Sequence, residues 1–203
     1  MSCAVLGNDV FIFNILNKSP GFFVEAGCGD GSKPSNSNSL YLEERGWRGI
    51  GIDINNIDAF SRNRKSIGIQ ADLKIKGIED ILEENNAPEI IDFLSFDVDE
   101  AQKSALDFLK LNKFKFKHIH FEHNNFITPD DPNYIPLNIE YLKTEGYKKF
   151  TEAGYVRVVE DVLDSRGLAI EDWYIHKDFI SPDIKYLKNI LYSDILKEYN
   201  FIA

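Results

Sequence analysis

The stretch that decides the fold of this chain is GFFVEAGCGDG, residues 21–31. Its first half is an apolar run typical of a buried β-strand, and its second half places glycine at positions 27, 29 and 31. Glycine lets the backbone turn tightly and approach a ligand closely, because it has no Cβ atom. The stretch therefore predicts a strand followed by a ligand-binding turn.

Apolar, strand-like runs alternate with helical stretches along the rest of the chain. Strands are predicted at residues 21–26, 49–54, 66–71, 90–98, 116–122, 155–159 and 170–176, and helices at residues 39–45, 78–85, 101–110, 137–145 and 184–199. The apolar patch in residues 1–20 predicts a short helical cap. This alternation indicates one α/β domain over residues 1–203, with a mostly parallel sheet covered by helices on both faces.

The composition narrows the partners that we expect. The 203 residues carry a formal net charge of −10, which repels phosphate backbones and argues against nucleic acid or an anionic membrane as the main partner. The two cysteines, Cys3 and Cys28, cannot build a disulfide framework or a cysteine zinc site. No apolar stretch approaches 18 residues. We therefore expect a cytoplasmic protein without a membrane span, and the sequence predicts no oligomeric state.

Ligands of parallel α/β sheets bind beyond the carboxyl ends of the strands, which makes acidic residues at those ends candidate contacts. The glycine turn lacks the sixth-position glycine of the dinucleotide fingerprint, where this chain has Ser32. Glu25 beside the turn favours a cationic ligand over a pyrophosphate, although a plain strand–helix turn is the alternative. Asp53 ends the second strand, where a carboxylate binds ribose hydroxyls or caps a helix. Asp72 ends the third strand and either accepts from an adenine amino group or forms a turn.

These features suit S-adenosylmethionine, with the glycine turn at the methionine moiety, Asp53 at the ribose and Asp72 at the adenine. The chain also resembles the FkbM-type methyltransferases, a class I S-adenosylmethionine-dependent family. The matching segments are FFVEAG (22–27) with Asp30 and Gly31, SNSLYLE (37–43), GWRG (46–49), LSFDVD (94–99), FEHN (121–124) and EDWY (171–174).

The resemblance covers residues 21–176 and implies a Rossmann-like class I fold with a seven-stranded sheet. It also implies methyl transfer to a small hydroxylated acceptor, such as a sugar or glycan unit. The predicted cofactor-binding residues are Glu25, Gly27, Gly29, Gly31, Asn38, Asp53, Asp72 and Asp97.

The loops after the fourth and fifth strands carry the candidate catalytic groups Asp97, Asp99, Glu122 and His123. Because these strands neighbour each other in this fold, their ends meet at one crevice. Carboxylates suit Mg²⁺, and histidine can join them around Mn²⁺. We therefore predict a divalent-metal site of Asp97, Glu122 and His123 that lowers the pKa of the acceptor hydroxyl. Without a metal, His123 is the general base and Glu122 orients it.

Other interpretations of these groups remain open. Asp97 could instead bind the methionine ammonium group, and Asp99 could cap the helix that begins near residue 101. His118 and His120 are interpreted as strand residues that pack in the core. At the level of the whole protein, the alternatives are an NAD-dependent dehydrogenase and a non-catalytic module that binds an adenosyl group or a partner.

Overall fold

The computed structural model describes residues 7–16, 19–32, 37–55, 57–123 and 139–201. Within these residues the strands are β1 Phe22–Ala26, β2 Arg48–Asp53, β3 Ile67–Gln70, β4 Ile90–Phe96, β5 Lys115–Glu122, β6 Tyr155–Leu163, β7 Ala169–His176 and β8 Leu187–Leu191. The helices are α1 Asn8–Ile15, α2 Leu40–Glu43, α3 Ile57–Asn63, α4 Ile78–Glu84, α5 Gln102–Phe108, α6 Ile139–Glu152 and α7 Tyr192–Glu198. None of these helices has both the length and the apolar composition that a membrane crossing requires.

The strands form one sheet in the order β3-β2-β1-β4-β5-β7-β6-β8. Strands β1 to β5 pair in parallel, β7 runs antiparallel to β5 and β6, and β8 returns parallel to β6. This arrangement confirms the predicted Rossmann-like, mainly parallel sheet, with eight strands instead of seven. The strand order reverses between β1 and β4, which is the position where open α/β sheets bind their ligands.

Hydrophobic clusters cover both faces of the sheet, because successive strand residues point to opposite faces. On β1, Val24 packs with Ile50 and Phe96 on one face, and Phe23 packs with Phe93 on the other. This explains why β1 and β4 are mostly apolar along their length and do not alternate strictly.

Helix α1 joins the second of these clusters together with the C-terminal part of the described chain. The ring of Phe11 lies 4.6 Å from that of Trp173 and 5.3 Å from that of Tyr199. The hydroxyl of Tyr192 donates a hydrogen bond to the carbonyl of Gly7 at 2.8 Å. The predicted N-terminal cap is thus a helix that the last elements hold against the sheet.

Two expected helices differ from the structure. In the first half of the predicted helix 184–199, β8 pairs with β6, and the helix is restricted to α7. The helix predicted at residues 137–145 continues through Gly146 to the end of α6, although glycine there is typical of a helix end. A Cβ atom at Gly146 would lie 2.9 Å from Phe121 Cε1, which indicates that glycine serves close packing of α6 on β5. Helix α3 was not predicted at all.

Candidate active site

A cavity of about 730 Å³ opens at the carboxyl ends of the parallel strands. It brings together seven of the candidate residues, which lie at or just after the ends of five different strands: Gly27, Gly29, Asp53, Asp72, Asp97, Asp99 and Glu122. The predicted residues Glu25, Gly31, Asn38 and His123 do not line it. A second cavity of about 640 Å³, lined by Trp47, Asp92 and Lys117 among others, contains none of the predicted residues.

The glycine turn after β1 has left-handed backbone conformations at all three glycines, with φ values of 85° at Gly27, 56° at Gly29 and 66° at Gly31. A Cβ atom at Gly27 would lie 1.6 Å from the carbonyl oxygen of Asp97, and one at Gly31 would lie 2.6 Å from Arg64 Cγ. At Gly29 no heavy atom lies within 4 Å of that position. Close packing therefore requires glycine at 27 and 31, and the open space beside Gly29 is the part of the turn that a ligand can approach.

Asp53 stabilises this turn and also faces the cavity. Its Oδ2 accepts a hydrogen bond from the N–H of Gly29 at 2.9 Å, and its Oδ1 accepts from the N–H of Asn55 at 2.8 Å. Each carboxylate oxygen can accept a second hydrogen bond, which leaves capacity for ribose hydroxyls. Asp72 likewise forms the expected turn by accepting from the N–H of Lys74 at 2.8 Å, and it lines the cavity. The turn and ligand-binding roles are therefore compatible at both positions.

Three carboxylates converge where β4 and β5 end. One ligand atom each from Asp97, Asp99 and Glu122 lies within 4.8 Å of the other two. Burial, followed by the neighbouring charge of Asp97, raises the pKa of Glu122 well above its ordinary value. Burial and the charges of Asp97 and Glu100 also raise the pKa of Asp99. This group therefore favours a bound proton or a bound cation.

Gln102, which the sequence analysis did not single out, holds the ends of β4 and β5 together. Its Nε2 donates to the carbonyls of Phe96 at 2.9 Å and Glu122 at 2.8 Å, and its Oε1 accepts from the N–H of Val98 at 2.9 Å. The side chain is buried, and these bonds fix the backbone on both sides of the carboxylate group. A glutamine at a helix start has no distinguishing sequence signal, so only the structure identifies this role.

His123 lies in a different cluster from the two residues with which it was predicted to bind metal. Its Nε2 lies 3.4 Å from Asp172 Oδ1 and 3.5 Å from Asp161 Oδ1. Arg157 pairs with Asp172 at 3.0 Å, and Lys143 pairs with Asp161 at 2.6 Å. The structure therefore does not bring the predicted triad together. The carboxylates beside His123 already have cationic partners, and Asp99 takes the third place beside Asp97 and Glu122.

The remaining predicted residues are buried in the protein interior or lie outside the described residues. Glu25 is 1% exposed, and burial raises its pKa to about 7 against the opposing charge of Arg64. His118 and His120 are buried in the core, and burial lowers the pKa of both. The ring of His120 stacks on Trp173 with 4.2 Å between centroids. Asn124 and the proline-rich segment 125–136 lie outside the described residues.

Comparison with known proteins identifies the fold. No protein-family model matches the chain, and the search of curated proteins gives no sequence match. The structure is similar to a Staphylococcus aureus protein assigned as a caffeoyl-CoA O-methyltransferase, with a TM-score of 0.52, 15% identity and 82% of each chain covered. It is also similar to an O-methyltransferase from Bacillus cereus solved with S-adenosylhomocysteine, with a TM-score of 0.50, 14% identity and 84% and 80% of the two chains covered.

A third similar structure is the ribosomal protein L11 methylase from Lactobacillus delbrueckii, with a TM-score of 0.50, 10% identity and 85% and 78% of the two chains covered. The chain therefore has the class I fold of S-adenosylmethionine-dependent methyltransferases, with a mainly parallel sheet flanked by helices. These identities establish the fold alone, and the resemblance to the FkbM-type family stays a prediction.

Proposed function

We propose that this protein is an S-adenosylmethionine-dependent O-methyltransferase. The observation that carries the proposal is an acidic cavity beside a glycine turn, at the strand ends of a class I methyltransferase fold. Six carboxylates line this cavity: Asp53, Asp72, Asp97, Asp99, Glu100 and Glu122. Lys74 is the sole cationic side chain among the described lining residues, and it pairs with Glu100 at 3.4 Å. This lining fits a cofactor with ammonium and sulfonium groups and disfavours the pyrophosphate of NAD or ATP.

In this proposal the predicted cofactor contacts that line the cavity keep their roles. The turn at Gly27 and Gly29 binds the methionine moiety, Asp53 accepts from the ribose hydroxyls, and Asp72 accepts from the adenine amino group. When bound, S-adenosylmethionine supplies a methyl group on a positively charged sulfur. The contribution of the protein is to align the acceptor oxygen with that methyl group and to receive the hydroxyl proton. Asp97 and Glu122 lie at the strand ends where such an acceptor would bind.

We propose as acceptor a small hydroxylated molecule such as a sugar or glycan unit, which the resemblance to the FkbM-type family supports. We further propose that Asp97, Asp99 and Glu122 hold Mg²⁺ or Mn²⁺ through their oxygens. The convergence of three carboxylates supports this set, which replaces His123 of the predicted triad by Asp99. A bound divalent ion would lower the pKa of the acceptor hydroxyl.

Calorimetric titration tests the cofactor. S-adenosylmethionine and S-adenosylhomocysteine should bind, and NAD and ATP should not. Asp53→Ala should weaken binding by about 2–3 kcal/mol, or roughly 30- to 150-fold, because the ribose hydroxyls lose their acceptor. Asp58→Ala removes an exposed acid of α3 and is the matched control. Binding of NAD without either sulfur compound would instead support a dehydrogenase, and binding without transfer to any hydroxylated acceptor would support a non-catalytic module.

Chelation and direct Mn²⁺ titration test the metal. Chelator should abolish transfer, and added Mg²⁺ or Mn²⁺ should restore it. Asp99→Asn should weaken Mn²⁺ binding, whereas Glu100→Gln should not, because Glu100 is the adjacent exposed acid and pairs with Lys74 outside the carboxylate group. Full-rate transfer by a chelated preparation would remove the metal from the proposal and leave the methyltransferase assignment intact.

A further inference from the structure

A buried arginine connects the segments around the proposed cofactor site. Arg64 follows α3 directly, and its side chain has no exposed surface. Its Nε donates to Glu43 at 3.0 Å, and its two terminal nitrogens donate to the hydroxyls of Ser37 at 3.0 Å and Ser39 at 2.9 Å. One planar guanidinium thereby fixes three partners at defined positions, an arrangement that its rigid fork of donors permits.

Glu25 faces this guanidinium across the same two hydroxyls. It accepts from Ser37 Oγ at 3.2 Å and from Ser39 Oγ, and it accepts from the backbone N–H of Asn38 at 2.5 Å. The direct distance between Arg64 and Glu25 is 3.8 Å. Each serine therefore donates to the carboxylate and accepts from the guanidinium, which places residues 37–39 between two buried charges.

The same network connects the glycine turn after β1 with the end of β4, just before Asp97. Glu25 lies two residues before Gly27, and the side chain of Arg64 packs where Gly31 leaves no space for a Cβ atom. Asn38 donates from Nδ2 to Ser95 Oγ at 2.8 Å, and Ser95 lies two residues before Asp97 on β4. Residues 37–39 are thus attached to both β1 and β4, where the strand order reverses.

Stability alone does not account for such an arrangement. A buried ion pair gains little over well-packed apolar side chains, because both charges lose their hydration. Buried ionic groups are useful where one conformation has to be specified. Here the conformation in question is that of residues 37–39 and of the glycine turn.

We propose that Arg64 is a positioning residue for cofactor binding, which acts through Ser37, Ser39 and Glu25 to fix the protein around the methionine end of the site. Glu25, which was predicted to contact the cofactor, belongs to this buried network instead. The inference rests on the proposed function, and it adds a residue that lies outside the cavity. It predicts that loss of the guanidinium lowers the affinity for ligands that carry the methionine part more than the affinity for ligands that lack it.

The test compares S-adenosylhomocysteine with adenosine, which lacks the methionine part. Arg64→Lys keeps the charge, but a single ammonium cannot reach Ser37, Ser39 and Glu43 together. We expect Arg64→Lys to bind S-adenosylhomocysteine about ten-fold or more weakly and adenosine with unchanged affinity. Arg64→Met should lower the affinity for S-adenosylhomocysteine to the same extent. It should also lower the free energy of unfolding, because it leaves Glu25 and Glu43 buried without their cation. Lysine should therefore restore folding stability relative to methionine without restoring affinity for S-adenosylhomocysteine.

Ser39→Ala is a second variant, which removes one buried hydroxyl and keeps both Arg64 and Glu25. This substitution should lower the affinity for S-adenosylhomocysteine several-fold and leave the affinity for adenosine unchanged. The control Ser61→Ala, on the exposed face of α3, should change neither affinity. Equal losses for both ligands, or wild-type affinity of Arg64→Lys and Ser39→Ala for S-adenosylhomocysteine, would overturn the positioning role. Failure of the wild-type protein to bind S-adenosylhomocysteine would instead overturn the proposed function.

Discussion

The three glycines of the turn after β1 have similar backbone conformations but different surroundings. All three φ values are positive, which costs an L-residue roughly 1–2 kcal/mol. Only at Gly27 would a Cβ atom meet backbone, since the carbonyl oxygen of Asp97 belongs to the neighbouring strand end. Gly27 therefore couples β1 to β4, whereas a Cβ atom at Gly29 would meet no protein atom and would instead fill the space that a ligand can approach.

Gly27→Ala and Gly29→Ala should consequently differ in the free energy of unfolding. Gly29→Ala should lose roughly 1–2 kcal/mol, the cost of the left-handed conformation. Gly27→Ala should lose clearly more, because β1 and β4 must also separate to admit the methyl group. Urea denaturation of both variants measures the difference. Equal losses would show that the turn relaxes without moving β4.

The strand-end acids illustrate what the sequence can predict at this scale. Asp53, Asp72, Asp97 and Glu122 were placed correctly at one crevice, because the carboxyl ends of parallel strands share one edge of the sheet. His123 was grouped with Glu122 because the two are adjacent in sequence. Consecutive residues of an extended chain point to opposite sides, and His123 accordingly lies beside Asp161 and Asp172. The role of Arg64 depends on a long-range contact that no local pattern shows.

Among the elements, strand β7 has different polar contacts on its two faces. Glu171 and Trp173 share one face, where Asn8 donates to Glu171 at 3.2 Å. Asp172 and Tyr174 share the other face, where Asp172 meets Arg157 and His123. Burial alone would raise the pKa of Asp172, but bonds and charge from His123, together with the Asp161 N–H and Arg157, lower it to about 2.

Stability should therefore fall as Asp172 is protonated. Its folded-state pKa lies below its ordinary value of 3.8, so its contribution is present above about pH 4 and disappears as the pH falls towards 2. Asp172→Asn should lose about 2–3 kcal/mol at neutral pH, and the difference from wild type should vanish near pH 2. Denaturant unfolding as a function of pH measures it. Asp58→Asn, at an exposed carboxylate of α3, is the control, and a difference independent of pH would contradict the assignment.

Element boundaries were predictable where a single periodicity applies. The parallel strands β1 to β5 were predicted with bounds within two residues of those in the structure. Residues 187–191 carry apolar side chains whose spacing also suits a helix, and only pairing with β6 makes them a strand. Gly146 has the sequence signature of a helix end, but its partner Phe121 lies on β5. These errors arise where tertiary contacts override local preference.

For the whole molecule, binding of the cofactor should raise the free energy of unfolding. A ligand that binds only the folded state adds about 2.7 kcal/mol when present at a hundred times its dissociation constant. S-adenosylhomocysteine at that concentration should raise the free energy of unfolding by this amount, and NAD at the same concentration should not. Thermal and urea denaturation with each ligand measure the effect. A shift with NAD alone would contradict the assignment.

The hydrogen bond between Tyr192 and Gly7 has a consequence for how this protein is made. The two residues are 185 positions apart, and at ordinary translation rates about 10–40 s separates their synthesis. Helix α1 is synthesised before Trp173, Tyr192 and Tyr199, which contact it in the folded protein. During that interval Phe13 of α1 can already meet Tyr41 of α2, but Phe11 lacks Trp173 and Tyr199, the rings that lie beside it in the folded protein. Strands β1 to β5 can pair earlier, so complete docking of α1 is a late step in folding.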